Sequence, residues 1–270
     1  MKIKLLITGF FITVVSYVGF TTLTENQKSS LSDEFINSKS LKNWKRFYKE
    51  ENWPDMMKRV TVEDGMLIME PNTSGWYADY HAPFIFKEVT GNFAVTTRLK
   101  ISGLTSEVPK TTWSLSGIMI RTPRDITPKT WTPNGENWMF LTTGFAGDLN
   151  QPVFETKTTV NSKSKLKLHP NKQDWVSLKI DRKGGVFTLF YRYDDKDKWT
   201  QIETFIRNDF PKTLQVGLNA YTDFYSAGKE LMKDYYKYNT TVVNYGKPDL
   251  RVKVDYFRFN NNRLSKPKLK

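Results

Sequence analysis

The sequence predicts an all-β protein, a two-sheet antiparallel jelly-roll sandwich that follows an N-terminal signal or anchor helix. Three observations predict it. Turn signals separate short alternating runs almost to the end of the chain, the spacing of a sandwich rather than of βαβ units. With 270 residues, 39% hydrophobic and 14% aromatic, the chain can bury a full core. It has no cysteine, so that core must hold without disulfides, and thiol catalysis and a Cys-ligated zinc site are excluded.

Lys2 and Lys4 precede the unbroken apolar stretch from Leu5 to Phe20, followed by polar "TTLTENQKSS". A charged start and an apolar run are the pattern of an export signal. No small-x-small pair marks a cleavage site, and the run approaches bilayer-spanning length, so residues 1–23 read as a signal peptide or an uncleaved anchor. Residues 24–32 form a linker, 33–260 the sandwich and 261–270 a basic tail. Either reading of the start places the protein outside the cytoplasm: periplasmic, cell-surface or secreted. Membrane contact is expected only through an uncleaved start. The net charge of +13 suits anionic partners or solubility, and export argues against nucleic acid.

The strands come in order. "RVTVEDGMLIMEP" (59–71) is a hairpin around Glu63, Asp64 and Gly65. "GNFAVTTRLKISG" (91–103) aligns Phe93, Val95, Thr97 and Leu99 on one face. In "SLSGIMIRTP" (114–123), Ser116, Ile118 and Ile120 point one way; Gly117, Met119 and Arg121 point the other. "ENWMFLTTG" (136–144) puts Met139 and Leu141 in the core and Trp138, Phe140 and Thr142 opposite. "DWVSLKIDRKGGVFTLFYRYDDKDKWTQIE" (174–203) is a hairpin around Gly184 and Gly185. "LQVGLNAY" (214–221) turns Val216, Leu218 and Ala220 inward and Gly217, Asn219 and Tyr221 outward, and "RVKVDYFRF" (251–259) closes the set. Residues 224–240 read as a short helix or a long loop.

These motifs, with "DEFINSKSLKNWKRF" near the mature start, occur in an order that resembles the concanavalin A-like lectin/glucanase sandwiches. The resemblance is closest to the bacterial domain family of unknown function numbered 1349 and to the related sandwich appended to some glycoside hydrolases. It covers roughly residues 32–260 and implies a jelly roll whose concave sheet often binds carbohydrate. It does not imply catalysis, because the superfamily holds both lectins and hydrolases. The Glu-x-Asp-x-(x)-Glu strand motif of its β-glucan hydrolases is missing. No cofactor is expected. Similar sandwiches often hold a structural calcium through aspartate and backbone oxygens, and that ion stays open, whereas two histidines, His81 and His169, cannot make a three-histidine site.

Strand parity then yields a candidate site. Arg121, Trp138, Asn219 and Tyr221 share one face, with Gly117 and Gly217 lowering its floor. Aromatic rings stack on sugar faces, and Arg121 and Asn219 offer planar hydrogen-bonding groups. The competing reading is a plain outer sheet face. In "SGWYADYHAP" (74–83), Trp76 and Tyr80 could wall such a groove, with Asp79 and His81 as polar contacts, or serve as core bulk. A long Pro- and Thr-rich loop spans 122–138, and Trp113 and Trp131 could sit near the groove. Lys163, Lys165 and Lys167 alternate along one strand, either as a reader of acidic polysaccharide or as a charged sheet edge. The sequence therefore predicts an exported carbohydrate-binding protein. The alternatives are a glycan-active hydrolase with a carboxylate pair outside the usual motif, such as Asp79 with Glu136, and an envelope-associated structural domain without a small ligand.

Overall fold

The computed structural model describes residues 30–259; the signal or anchor segment, most of the linker and the basic tail lie outside the described residues. Two antiparallel seven-stranded sheets face each other. The first sheet runs in the order β1 (Lys45–Arg46), β4 (Phe84–Thr90), β13 (Thr213–Tyr221), β6 (Ser114–Arg121), β7 (Trp138–Ala146), β8 (Gln151–Val160) and β9 (Lys163–Pro170). The second runs β12 (Thr200–Ile206), β11 (Val186–Arg192), β10 (Val176–Lys183), β5 (Phe93–Ser102), β14 (Arg251–Phe259), β3 (Met66–Pro71) and β2 (Met57–Glu63). This is the sandwich the alternation predicts.

The parity of each strand follows from which side chains find apolar company. Ile118, Ile120, Met139, Leu141, Val216 and Leu218 of the first sheet interdigitate with Val95, Leu99, Leu178, Ile180 and Leu189 of the second, all of them buried. Each such side chain contributes about 1.5–3 kcal/mol. A one-residue slip would turn this whole set to the other face, so the register is strongly held. The β2–β3 turn is the two-residue Asp64–Gly65 loop, both residues with positive φ (50° and 70°), the geometry that Asp-Gly favours.

Three further segments cover or border the outer face of the first sheet, the face turned away from the second. A strap made of β1, the one-turn helix α1 (Phe47–Glu50) and Trp53 crosses that face. Residues 74–83 form a turn closed by the Tyr80 N–H to Tyr77 carbonyl bond (2.8 Å), with Ala78 at φ 52°. They are therefore not the extended run in which Trp76, Ala78 and Tyr80 would alternate with Tyr77, Asp79 and His81. Residues 224–243 make short 3-10 turns and the helix α2 (Tyr235–Asn239), over a small apolar cluster of Met56, Tyr80, Leu231, Tyr238 and Val243. Both the helix and the loop expected there are present. Among the described residues no helix is long and apolar enough to cross a membrane.

Candidate functional site

The cross-strand register arranges the outer face of the first sheet as a lattice. One row reads Gln215, Arg121, Trp138, Thr159; the next Gly217, Met119, Phe140, Lys157; the third Asn219, Gly117, Thr142, Glu155; the fourth Tyr221, Leu115, Gly144, Val153. Arg121, Trp138, Asn219 and Tyr221 thus emerge on the same side. They do not form an open floor: their exposures are 0%, 0%, 0% and 2%. The glycines have a different job from the one the sequence suggests. A Cβ on Gly117 would stand 2.2 Å from the Leu141 carbonyl oxygen, and one on Gly217 would stand 1.9 Å from that of Ile85. They permit close approach of neighbouring strands.

Arg121 is consumed inside the protein. Its guanidinium donates from Nη1 (2.5 Å) and Nη2 (3.2 Å) to Glu51 of the strap. It also donates from Nε (2.9 Å) and Nη2 (3.0 Å) to Glu136, and from Nη1 to Gln215 Oε1 at 3.1 Å. Phe47 lies against its other surface, 4.7 Å away. Arg124 donates to Glu136 at 2.5 Å, His81 Nε2 sits 3.3 Å from the same carboxylate, and Trp53 Nε1 donates to Glu51 at 3.1 Å. Two arginines therefore balance two glutamates. Burial alone would raise the Glu136 carboxyl, but Arg121 and His81 outweigh it and hold the group well below the usual carboxylate range. Burial would likewise lower Arg121, and the two glutamates instead hold its charge firmly. Such a cluster pins the strap and the 122–137 loop to β6 and leaves the Arg121 guanidinium no free donor for a ligand.

The other expected contacts are spent similarly. His81 is wedged among the rings of Phe47, Trp53 and Trp76, with centroids 4.9–5.6 Å apart. Asp79 accepts from the Ser162 hydroxyl (2.5 Å) and the Asn134 amide (3.0 Å). Asn239 of α2 grips the Asp79 carbonyl and the His81 amide (2.8 and 2.9 Å). Tyr80 donates to the Met232 carbonyl and packs on Tyr235 and Tyr238. Among the described residues, no group of three or more His, Asp or Glu side chains converges in a way that could hold a metal ion. The acidic turn after β11 closes on itself, the Asp194 amide donating to Asp197 and the Lys196 amide to Asp194.

One part of the outer face remains open. A pocket of about 300 Å³ is walled by Trp76, Tyr77, Trp113 and Tyr225 and floored by Lys157 and Tyr221; neither Asp79 nor Glu136 lines it. Its floor is polar and paired. Tyr221, on β13, reaches across β6 and β7 to donate to Glu155 on β8. Lys157 Nζ stands 2.7 Å from the same carboxylate and donates to the Trp76 carbonyl at 2.9 Å. The ammonium also lies 5.1–5.8 Å from the ring centroids of Phe140, Tyr77 and Tyr221. Burial, and then the Glu155 charge, push the Tyr221 phenol well above its ordinary value, so it remains a proton donor. Next to this floor, Asn219 Nδ2 is a buried donor with no hydrogen-bond partner in the protein. Of the residues singled out in the sequence, Trp76, Tyr221 and Trp113 line this pocket. Glu155, Lys157, Tyr77 and Tyr225 were missed. The signal for the first two was available: "VFETK" puts Val153, Glu155 and Lys157 on one face of a strand, and a charged pair alternating with buried apolar residues asks for a partner.

The lysine run occupies β9, the edge strand of the first sheet, with Lys163, Lys165 and Lys167 exposed. Lys167 pairs with Glu203 of β12, the edge of the second sheet, at 2.5 Å. Leu166, on the opposite face of β9, borders the aromatic pocket.

No known sequence family matches this chain, and no curated protein does. Among solved structures the chain is similar to a xylan β-1,4-xylosidase from Bacillus halodurans C-125, with TM-score 0.55 and 13% identity over 85% of this chain and 38% of that one. It is also similar to the GH43 BlXynB protein from Bacillus licheniformis, with TM-score 0.54 and 11% identity over 88% of this chain and 40% of that one. The chain thus spans about two fifths of the length of either protein. At such identities the likeness shows the fold, and that fold is a concanavalin A-like β-sandwich.

Proposed function

We propose that this chain is an exported glycan-binding sandwich whose ligand sits in the aromatic pocket over Lys157 and Tyr221. The observation that carries this reading is the pocket itself: aromatic walls from Trp76, Tyr77, Trp113, Phe224 and Tyr225 around a polar, hydrogen-bonding floor, about 300 Å³ in volume. Rings stack on the apolar faces of a sugar, and buried polar groups read its hydroxyls. The similarity to part of a xylosidase supports a carbohydrate-related role by analogy of fold. Export rests on the apolar N-terminal run, and kinship with family 1349 on the order of motifs.

Lys157 is already neutralised by Glu155, so the pocket favours a neutral sugar over an acidic polysaccharide. A hydrolase needs two carboxylates about the scissile bond, and no Asp or Glu is among the residues lining this pocket; Glu155 lies buried beneath its floor, held by a phenol and an ammonium. Binding without cleavage is therefore the better fit. The test is a glycan array probed with the purified protein and with Trp113→Ala and Tyr225→Ala variants. Binding to neutral glycans by the parent, lost in both variants, is the expected result. Silence across neutral and acidic glycans would remove this reading and leave the structural envelope domain.

A further inference from the structure

Two features of the outer face fix how a ligand longer than the aromatic pocket could lie. Towards β6, β13 and β4 the way is shut: Trp76 packs edge-on or tilted against Phe47, Phe84 and Trp138, with ring centroids 5.4, 6.5 and 5.8 Å away, and the strap carries Glu51 down to Arg121. Along the strands the way is open. Lys157 pairs with Leu166, Glu155 with Leu168, and Val153 with Pro170, so each step along the β8–β9 ribbon is about 7 Å. Leu166 and Leu168 are 37% and 38% exposed. Beyond Leu168 lies a second, shallower pocket of about 510 Å³ at the β7–β8 turn. Leu149 stands at its lip, 78% exposed, beside the exposed polar side chains of Asp148 and Gln151.

The two pockets are mechanically joined. Thr112, next to Trp113, donates its hydroxyl to the Gly147 carbonyl at 2.9 Å, and Asn150 donates to the Pro109 carbonyl at 2.7 Å. The loop that carries the first pocket's indole is thus tied to the turn that carries the second pocket's leucine. A flat apolar surface beside hydroxyl-reading side chains is again what a sugar ring needs.

We propose that the ligand is an extended oligosaccharide lying parallel to the edge strand β9, from the aromatic pocket past Leu166 and Leu168 to a second subsite at Leu149, Asp148 and Gln151, rather than running across the sheet. This inference rests on the reading of the aromatic pocket as a sugar site. The experiment separates the two. Xylobiose through xylohexaose and cellobiose through cellohexaose are titrated by calorimetry into the parent protein and into Leu149→Asp, Leu168→Ser and Trp113→Ala variants. In the series that binds, affinity rises at least tenfold from dimer to hexamer in the parent. Leu149→Asp and Leu168→Ser keep the dimer affinity within about twofold and lose the rise, whereas Trp113→Ala weakens every length. A parent affinity that is flat with length, or a rise that survives both leucine substitutions, overturns the second subsite while the first pocket stands. Absence of binding at every length overturns the sugar reading and the subsite together.

Discussion

The two halves of one sheet face, built from neighbouring strands, have opposite fates. On the β4–β13–β6 side, the strap and the 74–83 turn cover the face, and Arg121 is fully paired with Glu51, Glu136 and Gln215. On the β8–β9 side a pocket stays open between aromatic side chains, with Tyr77 and Tyr225 exposed at its rim and Lys157 and Tyr221 buried at its floor. An arginine and a tryptophan sharing an outward face need not meet solvent. A sheet face recruits whatever chain can satisfy it, and only the remainder is available to a ligand.

The largest effect that could break this comparison comes from the covered half. Arg121→Met would leave Glu51 and Glu136 buried beside an apolar stem, at a cost of about 3–5 kcal/mol. Chemical denaturation should show it, and a loss below about 1 kcal/mol would mean the strap is held by its aromatic packing alone. The same cluster predicts a pH dependence. Glu136 titrates well below its ordinary 4.5 in the folded chain, so its contribution is fully present above about 4.5 and disappears as the pH falls through the lower folded value. Unfolding free energy should therefore fall on acidification below about pH 4.5, and Glu136→Gln should flatten that slope.

A smaller effect belongs to the boundary between the halves. Tyr221→Phe removes the hydroxyl that Glu155 accepts from, leaving that buried carboxylate dependent on Lys157. The expected loss is about 1–3 kcal/mol in stability, measured by urea titration, with a near-normal fold by circular dichroism. On the open side, Trp113→Ala should cost at least about tenfold in glycan affinity, roughly 1.4 kcal/mol, while shifting the unfolding midpoint less than Arg121→Met does. Equal damage to stability from the two would erase the distinction between a structural half and a binding half.

How much of this was legible before folding follows from the range of each interaction. Period-two alternation is local, so the inward set (Ile118, Ile120, Met139, Leu141, Val216, Leu218) and the outward set (Arg121, Trp138, Asn219, Tyr221) can be read from adjacent residues. Exposure is not local. Nothing near Arg121 in the sequence announces that Glu51, seventy residues earlier, will reach it. The same holds for Asp79, whose partners Ser162 and Asn134 come from two other loops. In 74–83 the alternation failed for a different reason. Ala78 takes a positive φ, folding the segment into a turn that sends Trp76 and Tyr80 into separate apolar clusters. Glu155 and Lys157 were readable as an unusual charged pair on one strand face, but their pairing is complete only when Tyr221 arrives from three strands away.

The smallest expected effect on stability concerns the strand that borders the open half. β9 pairs only with β8 among the described residues, so one side of its backbone is free to template a further strand. Its two faces differ: Leu166 borders the aromatic pocket and Leu168 the second pocket, while Lys163, Lys165 and Lys167 line the other side of the strand. The ion pair of Lys167 with Glu203 involves an ammonium 67% exposed and so adds little to folding. Replacing all three lysines by threonine, a good strand former, should therefore change the unfolding free energy by no more than about 0.5 kcal/mol per site. It should leave xylo- and cello-oligosaccharide affinity unaltered if the lysines take no part in binding. What should change is association: the charge that keeps a second edge away is gone, and sedimentation velocity at rising concentration should show oligomers that the parent does not form. A triple variant that stays monomeric but loses glycan affinity would instead move those lysines into the binding surface, and with them the boundary between groove and edge.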